Sequence, residues 1–150
     1  MTEYKRITRS SDETESLGRE IARAASENNI SFIAMYGGLG AGKTAFVRGM
    51  ADFLAPGASV SSPTYSIVNE IYPVDSDKPV LFHFDMYRIE TWDDLDSIDF
   101  DSYFLRGALI VCEWSENIEY ALPEHYLRVD IEKINESSRS ISVREVGAQK

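Results

Sequence analysis

A glycine-rich run in the first third of the chain limits the possible folds more than any other feature. It matches the pattern G-x-x-x-x-G-K-[ST] at every fixed position and comprises Gly37, Gly38, Leu39, Gly40, Ala41, Gly42, Lys43 and Thr44. Glycines let the backbone curl so that successive N–H groups point inward at phosphates. Lys43 brings a positive charge to the β- and γ-phosphates, and the Thr44 hydroxyl can bind Mg²⁺. The run therefore predicts a phosphate-binding loop (Walker A) for a nucleoside triphosphate.

The residues around this run fit a strand before it and a helix after it. Residues 30–36 are apolar and β-prone, as expected of a buried strand. After the loop, apolar residues recur at helical spacing as far as Leu54, and Pro56-Gly57 ends the pattern. A strand, a glycine loop and a helix in this order aim a helix N-terminus at an anion. A glycine-rich turn that binds nothing is the weaker interpretation.

Two more apolar runs predict strands at 80–85 and 108–113, and each ends in an acidic residue. Other patterns predict a strand at 3–9, a helix capped by Ser10 and Glu13 and ending near Asn28-Asn29, an extended segment at 65–72, one or two short helices within 91–105, and a C-terminal hairpin around the polar turn 135–138. We predict a single P-loop NTPase domain over residues 1–150. It should be a three-layer α/β fold with a mostly parallel sheet and antiparallel additions from 65–72 and the hairpin.

The charge balance limits the partners that the chain can bind. It has 25 acidic against 15 basic residues, for a net charge of −10 at pH 7. Because phosphate backbones need clustered Lys and Arg, we expect no strong direct nucleic-acid binding and no membrane surface, whereas a basic protein partner fits. The single cysteine, Cys112, excludes an internal disulfide. Without a signal-peptide pattern or a membrane-spanning run, we expect a soluble cytoplasmic protein.

Asp85 and Glu113, which end the two apolar strands, are the candidate acids for a metal ion. A Walker A loop needs such an acid, and ligands of open α/β sheets bind at the carboxyl ends of the strands. Either acid could instead be a loop residue that meets water. His83, two residues before Asp85 on the same side of the strand, fits a structural or supporting role. Arg88 either meets charge on the phosphates or forms an ordinary ion pair.

Two further side chains are candidates for the nucleotide site. Thr64 lies in a serine-rich loop after Pro63, where it could sense the γ-phosphate or simply cap a turn. Trp114 follows Glu113 and could stack near the nucleotide or pack beneath it, because an aromatic ring carries no specificity by itself.

Four motifs together resemble the TsaE family, the bacterial ATPases of tRNA threonylcarbamoyladenosine biosynthesis. They are the loop at 37–44, Ser62-Pro63-Thr64-Tyr65, His83-Phe84-Asp85-Met86-Tyr87-Arg88 and Glu113-Trp114, and they occur in the family's order and spacing. The second and third motifs are far more specific together than the Walker A loop. Chain length and element order fit the family over the whole chain.

The resemblance implies a Mg²⁺-dependent ATPase that works with the carbamoyltransferase complex modifying the adenosine next to the tRNA anticodon. It implies that Lys43 and Thr44 bind phosphate and Mg²⁺ and that Glu113 is the metal acid. It also implies that Asp85 sits near the γ-phosphate and that Thr64 is a switch threonine. ATP and Mg²⁺ are thus the expected cofactors.

The chain departs from the family at three positions. The family often has an acid at Gly38, a second threonine at Ala45 and proline at Ser115. The first two departures remove side-chain contacts that the loop backbone should tolerate. The third puts only the path of the loop after Trp114 in doubt.

We therefore predict slow ATP hydrolysis that is faster or coupled in the partner complex. The predicted catalytic residues are Lys43, Asp85 and Thr64, the metal ligands are Thr44 and Glu113, and the nucleotide contacts are Gly38, Leu39, Gly40, Ala41, Gly42, Lys43, Thr44, Ala45 and Trp114. A small-molecule kinase is the main alternative, although no arginine-rich lid is evident. A GTPase is a weaker alternative, because the sequence contains neither the N-K-x-D nor the D-x-x-G signature. A module that binds nucleotide without hydrolysing it is a further alternative.

Overall fold

A computed structural model describes residues 3–38, 40–58 and 67–147. Within these ranges the strands are β1 (Tyr4–Thr8), β2 (Phe32–Tyr36), β3 (Val68–Ile71), β4 (Leu81–Asp85), β5 (Leu109–Glu113), β6 (Tyr126–Lys133) and β7 (Arg139–Val146). The α-helices are α1 (Ser11–Glu27), α2 (Lys43–Leu54) and α3 (Trp92–Ser97), and 3₁₀ turns cover Phe100–Leu105, Ser115–Asn117 and Glu119–Ala121.

The strands form one sheet in the order β1-β7-β6-β2-β5-β4-β3. The four central strands, β6, β2, β5 and β4, run parallel to one another. β3 adds antiparallel to β4 at one edge, and β7 and β1 add antiparallel beyond β6 at the other. The predicted mostly parallel α/β sheet is therefore confirmed. The hairpin was predicted as an antiparallel addition, but its first strand, β6, pairs with β2 and so belongs to the parallel part of the sheet.

Helices α1 and α2 cover one face of the sheet and cross each other closely. Gly18 and Gly49 make this crossing possible, because a Cβ on Gly18 would lie 2.0 Å from the Phe46 carbonyl oxygen and one on Gly49 would lie 1.8 Å from that of Glu15. The backbones of the two helices thus approach directly, without intervening side chains. This contact fixes α2, the helix that follows the phosphate loop, against the sheet.

The opposite face is covered by α3 and the 3₁₀ turn Phe100–Leu105, over a cluster rich in aromatic rings. The rings of Phe82 and Phe84 meet Tyr103 edge-on, each with centroids 4.9 Å apart, and Phe84 also meets Phe100 at 5.2 Å. Edge-to-face pairs add to the stabilisation from burial. The two covered faces make the three layers that the sequence predicts.

The ends of two predicted elements have local causes. Helix α1 begins after Ser10, whose hydroxyl accepts a hydrogen bond from the Glu13 amide; the Glu13 carboxylate accepts from the Arg9 amide, so the predicted capping box is only half formed. β2 begins at Phe32, two residues later than predicted, because the Ile30 N–H donates to the Ala25 carbonyl. No helix among the described residues is long and apolar enough to cross a membrane.

Candidate nucleotide-binding site

A cavity of about 430 Å³ opens where the carboxyl ends of β4 and β5 meet the glycine-rich loop after β2. Asp85 and Glu113 stand opposite each other in the register of these parallel strands, which explains why both acids reach one place. The cavity is lined by Gly40, Ala41, Gly42, Lys43, Thr44, Asp85, Glu113 and Trp114. Eight of the residues predicted to form the site are therefore brought together.

The backbone of the loop has the conformation that its glycines allow. Gly40 and Gly42 have φ angles of +76° and +98°, which side chains rarely adopt. Helix α2 begins at Lys43, directly after Gly42, and this N-cap glycine has no side chain with which to cap the helix. Unsatisfied N–H groups at a helix N-terminus, together with the positive end of the helix dipole, suit an anion. The geometry of the loop thus fits a phosphate group.

The Lys43 side chain is buried and lines the cavity. Its Nζ donates to the Gly37 carbonyl at 2.6 Å and stands 4.1 Å from the centroid of the Trp114 ring. Burial lowers the pKa of Lys43 below its ordinary value, and the nearby carboxylates of Glu113, Glu116 and Asp85 oppose that shift. A bound phosphate would stabilise this ammonium group by charge-assisted hydrogen bonds, which offset the cost of its removal from water.

Glu113 is buried and hydrogen-bonded to His83, which is fully buried on the neighbouring strand β4. The His83 Nε2 meets the Glu113 Oε2, and within the described part of the chain His83 Nδ1 has no hydrogen-bond partner. One carboxylate oxygen is thus held by the ring, and Glu113 also faces the cavity. His83 is not itself among the residues that line the cavity, so its effect on a ligand runs through Glu113.

Asp85 is more accessible than Glu113 and is oriented by its own loop. Its Oδ1 accepts from the Tyr87 amide at 3.0 Å, as in an Asx turn. The main chain nearby is tied to β5, because the Met86 amide donates to the Glu113 carbonyl at 3.0 Å. The two acids therefore differ in environment, with Glu113 buried beside an imidazole and Asp85 half-buried at the strand end.

Trp114 directly follows Glu113, has an unusual backbone conformation and places its ring over Lys43. Its φ is +60°, and its ring lies 5.0 Å from the Tyr87 ring as well as over Lys43. The path after it is secured by Ser115, which occupies the position where the family usually has proline. The Ser115 hydroxyl donates to the Cys112 carbonyl at 2.8 Å, and the side chain is buried. This hydrogen bond ties the chain after Trp114 back to the end of β5.

The residues of the cavity fit a magnesium ion bound together with phosphates. Thr44, Glu113 and Asp85 offer a hydroxyl and two carboxylates, and oxygen is the ligand atom that Mg²⁺ prefers. The described residues contain no group of three or more His, Cys, Asp or Glu side chains able to hold a metal ion by themselves. Mg²⁺ usually keeps several waters and binds through one or two carboxylates plus substrate phosphates, as this oxygen set would require.

Some predicted residues lie away from this cavity or outside the described residues. Gly38 and Ala45 are not on its lining, and a Cβ on Gly38 would meet no atom of the described residues within 4 Å, so an acid would fit there among them. Arg88 lines a separate depression beside Trp114 and Asn117. Leu39 and Thr64 lie outside the described residues. The roles of those two residues at the nucleotide site stay predictions from the motifs.

Arg139, at the start of β7, is a residue that the sequence analysis missed. It donates from Nε to the Ala41 carbonyl at 2.9 Å and from Nη2 to the Gly40 carbonyl at 3.2 Å. It lies 98 residues from Ala41 in a polar segment that matches no motif, so no local signal could have found it.

Comparison with known proteins assigns the chain to a family. The sequence model described as "Threonylcarbamoyl adenosine biosynthesis protein TsaE" matches residues 8–141. The chain belongs to the TsaE family. A relative from Bacillus subtilis, named tRNA threonylcarbamoyladenosine biosynthesis protein TsaE, is 33% identical over 147 residues, which cover 98% of this chain and 89% of the relative. A Streptomyces coelicolor protein of the same name is 34% identical over 118 residues, covering 78% and 77%.

A solved structure supports the same assignment at the level of the fold. The crystal structure of Bacillus subtilis YdiB matches with a TM-score of 0.71 at 27% identity, covering 98% of this chain and 87% of that one. The predicted P-loop NTPase fold is confirmed, as is the resemblance to the TsaE family.

Proposed function

We propose that this chain is a Mg²⁺-dependent ATPase that acts in threonylcarbamoyladenosine modification of tRNA, together with the carbamoyltransferase complex. Membership of the TsaE family and the names of its relatives support the pathway. The observation that carries the enzymatic part is the convergence of Lys43, Asp85 and Glu113 on one cavity beside the glycine loop. A cation, two acids and inward-facing amides are the parts that phosphoryl transfer requires.

Phosphate binding is assigned to the loop and to Lys43. The first amides of α2 would donate to phosphate oxygens, and the buried ammonium of Lys43 would pair with their charge. Trp114, whose ring already covers the lysine, would keep water away from this pair. These interactions strengthen as charge develops on the phosphates, which is how positioning and electrostatics lower the barrier.

The two acids are assigned different tasks. Thr44 and Glu113 would hold Mg²⁺, which when bound neutralises charge on the β- and γ-phosphate oxygens. Asp85, with its Oδ1 oriented by the Tyr87 amide, would orient the attacking water near the γ-phosphate. From the motif, Thr64 would sense the γ-phosphate and Leu39 would complete the loop.

The partner assignment rests on the family and on charge. A chain with a net charge of −10 should bind the tRNA backbone weakly by itself. In this proposal it acts in the cytoplasm and reaches tRNA through the protein complex. Its acidic surface would favour docking on basic patches of that complex. The chain would then couple ATP hydrolysis to the complex and leave carbamoyl transfer to its partner.

The test is phosphate release from ATP with Mg²⁺, measured with and without the complex and compared with GTP. Lys43→Ala should lower the rate by about a hundredfold or more, because one charge that stabilises the transition state is lost. Lys78→Ala is the matched control, since Lys78 is exposed in the turn before β4. Equal hydrolysis by parental protein and Lys43→Ala would contradict the assignment. Phosphate transfer to a small acceptor, without release, would favour the kinase alternative.

A further inference from the structure

The C-terminal hairpin reaches the glycine-rich loop through Arg139, the first residue of β7. Its guanidinium donates to the carbonyls of Gly40 and Ala41, from Nη2 and Nε. A loop whose N–H groups face phosphates turns carbonyls to the other side. Arg139 therefore occupies the side of the loop from which carbonyls can be held without blocking the phosphate site.

The same guanidinium is anchored to the turn between β6 and β7. Its Nη1 donates to the carbonyls of Asn135 at 2.8 Å, Ser138 at 3.0 Å and Glu136 at 3.4 Å. The turn is braced in its own right, because the Asn135 Oδ1 accepts from the amides of Ser137 and Ser138 at 3.0 and 2.9 Å. Arg139 thus connects the glycine-rich loop to an ordered turn rather than to solvent.

The fit between the hairpin and the loop is close at both ends of the loop. A Cβ on Gly37 would lie 2.6 Å from the Ile131 carbonyl oxygen of β6, and one on Gly42 would lie 3.4 Å from the Arg139 Nε. Gly37 is therefore needed where the loop packs on β6, whereas Gly42 is in ordinary contact with Arg139 and is favoured there by its φ of +98°. Ile131 and Arg139 therefore support the loop from the side away from the cavity, which neither of them lines.

We propose that Arg139 is a positioning residue that holds the phosphate loop in its binding conformation before the nucleotide arrives. Ordering a glycine-rich loop costs more conformational entropy than ordering other residues, and a ligand that must do so binds more weakly. Arg139 removes part of that cost by fixing the carbonyls of two loop residues. The inference rests on the proposed nucleotide site, though not on the identity of the partner complex.

The first arm of the experiment is nucleotide affinity by calorimetric titration of ATP and ADP. Arg139→Gln should weaken both by about tenfold, because the loop contacts phosphates common to the two ligands. The turnover of saturated enzyme should change less than KM. Arg139→Lys should show a similar loss, since one ammonium cannot span both loop carbonyls and the turn. Arg144→Gln, the same charge change at an exposed residue of the same strand, should bind as the parental protein does.

The second arm is amide hydrogen exchange of residues 40–42 in nucleotide-free protein. Exchange should be faster in Arg139→Gln than in the parental protein and in Arg144→Gln, while exchange in β2 stays the same. If Arg139→Gln does not fold, Arg139→Lys serves for both measurements, because it keeps the aliphatic stem and the charge.

The outcomes distinguish the positioning role of Arg139 from the proposed function. Parental affinity in Arg139→Lys would show that charge alone matters and would overturn the proposal, as would weaker binding in Arg139→Gln with unchanged loop exchange. If the parental protein binds no ATP but loop exchange responds to Arg139, the proposed function fails, and what stands is support of the loop by Arg139 without a role in nucleotide binding.

Discussion

The nucleotide site has two walls that differ in how they act. The acidic wall, made by His83, Asp85, Glu113 and Trp114, presents side chains at or directly behind the cavity. The hairpin wall, made by Ile131 and Arg139, lies behind the loop and, among the described residues, contacts its main chain. One wall supplies charges where phosphates and metal would lie, and the other supplies shape.

In the proposed function, chemistry and positioning therefore come from separate parts of the chain. Side chains of the acidic wall should change turnover and metal dependence when altered. Alterations of the hairpin wall should change the conformation of the loop and therefore affect ATP and ADP equally. Substitutions on each wall can test whether the division holds.

The largest effect is expected on the acidic wall, from Glu113→Gln. Loss of the proposed metal carboxylate should lower hydrolysis at fixed Mg²⁺ on the order of a hundredfold, with partial recovery at higher Mg²⁺, because the neutral amide is a poorer ligand for a hard cation. The measurement is phosphate release across a Mg²⁺ titration. Glu27→Gln is the control, since Glu27 is exposed at the last residue of α1. An unchanged Mg²⁺ requirement would remove Glu113 from the metal site.

Much of the acidic wall could be predicted because it follows from local patterns. Apolar runs that end in an acid predicted Asp85 and Glu113, and the parallel register of β4 and β5 places them opposite each other. The contact between His83 and Glu113 could not be predicted from the sequence, because strand order and register are set by the packing of the whole sheet.

The hairpin wall could be predicted only as secondary structure. Alternating residues indicated the two strands and the polar turn, yet nothing local shows that β6 pairs with β2. That pairing brings Ile131 and Arg139 to the glycine-rich loop. Contacts between main-chain carbonyls and a distant arginine leave no spacing pattern in the sequence, so the supporting wall appears only in the folded chain.

An intermediate effect is expected where the loop meets the hairpin wall, from Gly37→Ala. Its Cβ would lie 2.6 Å from the Ile131 carbonyl oxygen at a φ of +152°, so the free energy of unfolding should fall by about 2 kcal/mol or more. Gly38→Ala is a matched control one residue away, because its Cβ would meet no atom within 4 Å in the part of the chain that the structure describes. The measurement is chemical denaturation of nucleotide-free protein. Equal stability of the two variants would show that the loop does not pack on β6 as described.

The smallest effect is expected behind the acidic wall, at His83. Because His83 holds one oxygen of Glu113 and does not line the cavity, His83→Leu should raise the Mg²⁺ concentration for half-maximal hydrolysis by about tenfold, the lower end of the range for residues that orient a metal ligand. His83→Gln keeps an N–H donor at similar reach and should restore most of the parental value. ATP affinity without Mg²⁺ should be the same in all three proteins, since the loop and Lys43 are untouched. A purely structural role predicts instead that both variants lose stability and ATP affinity together, with no rescue by glutamine. That result would place His83 in the core of the sheet rather than in the metal site, and Glu113 would then be oriented by the strand alone.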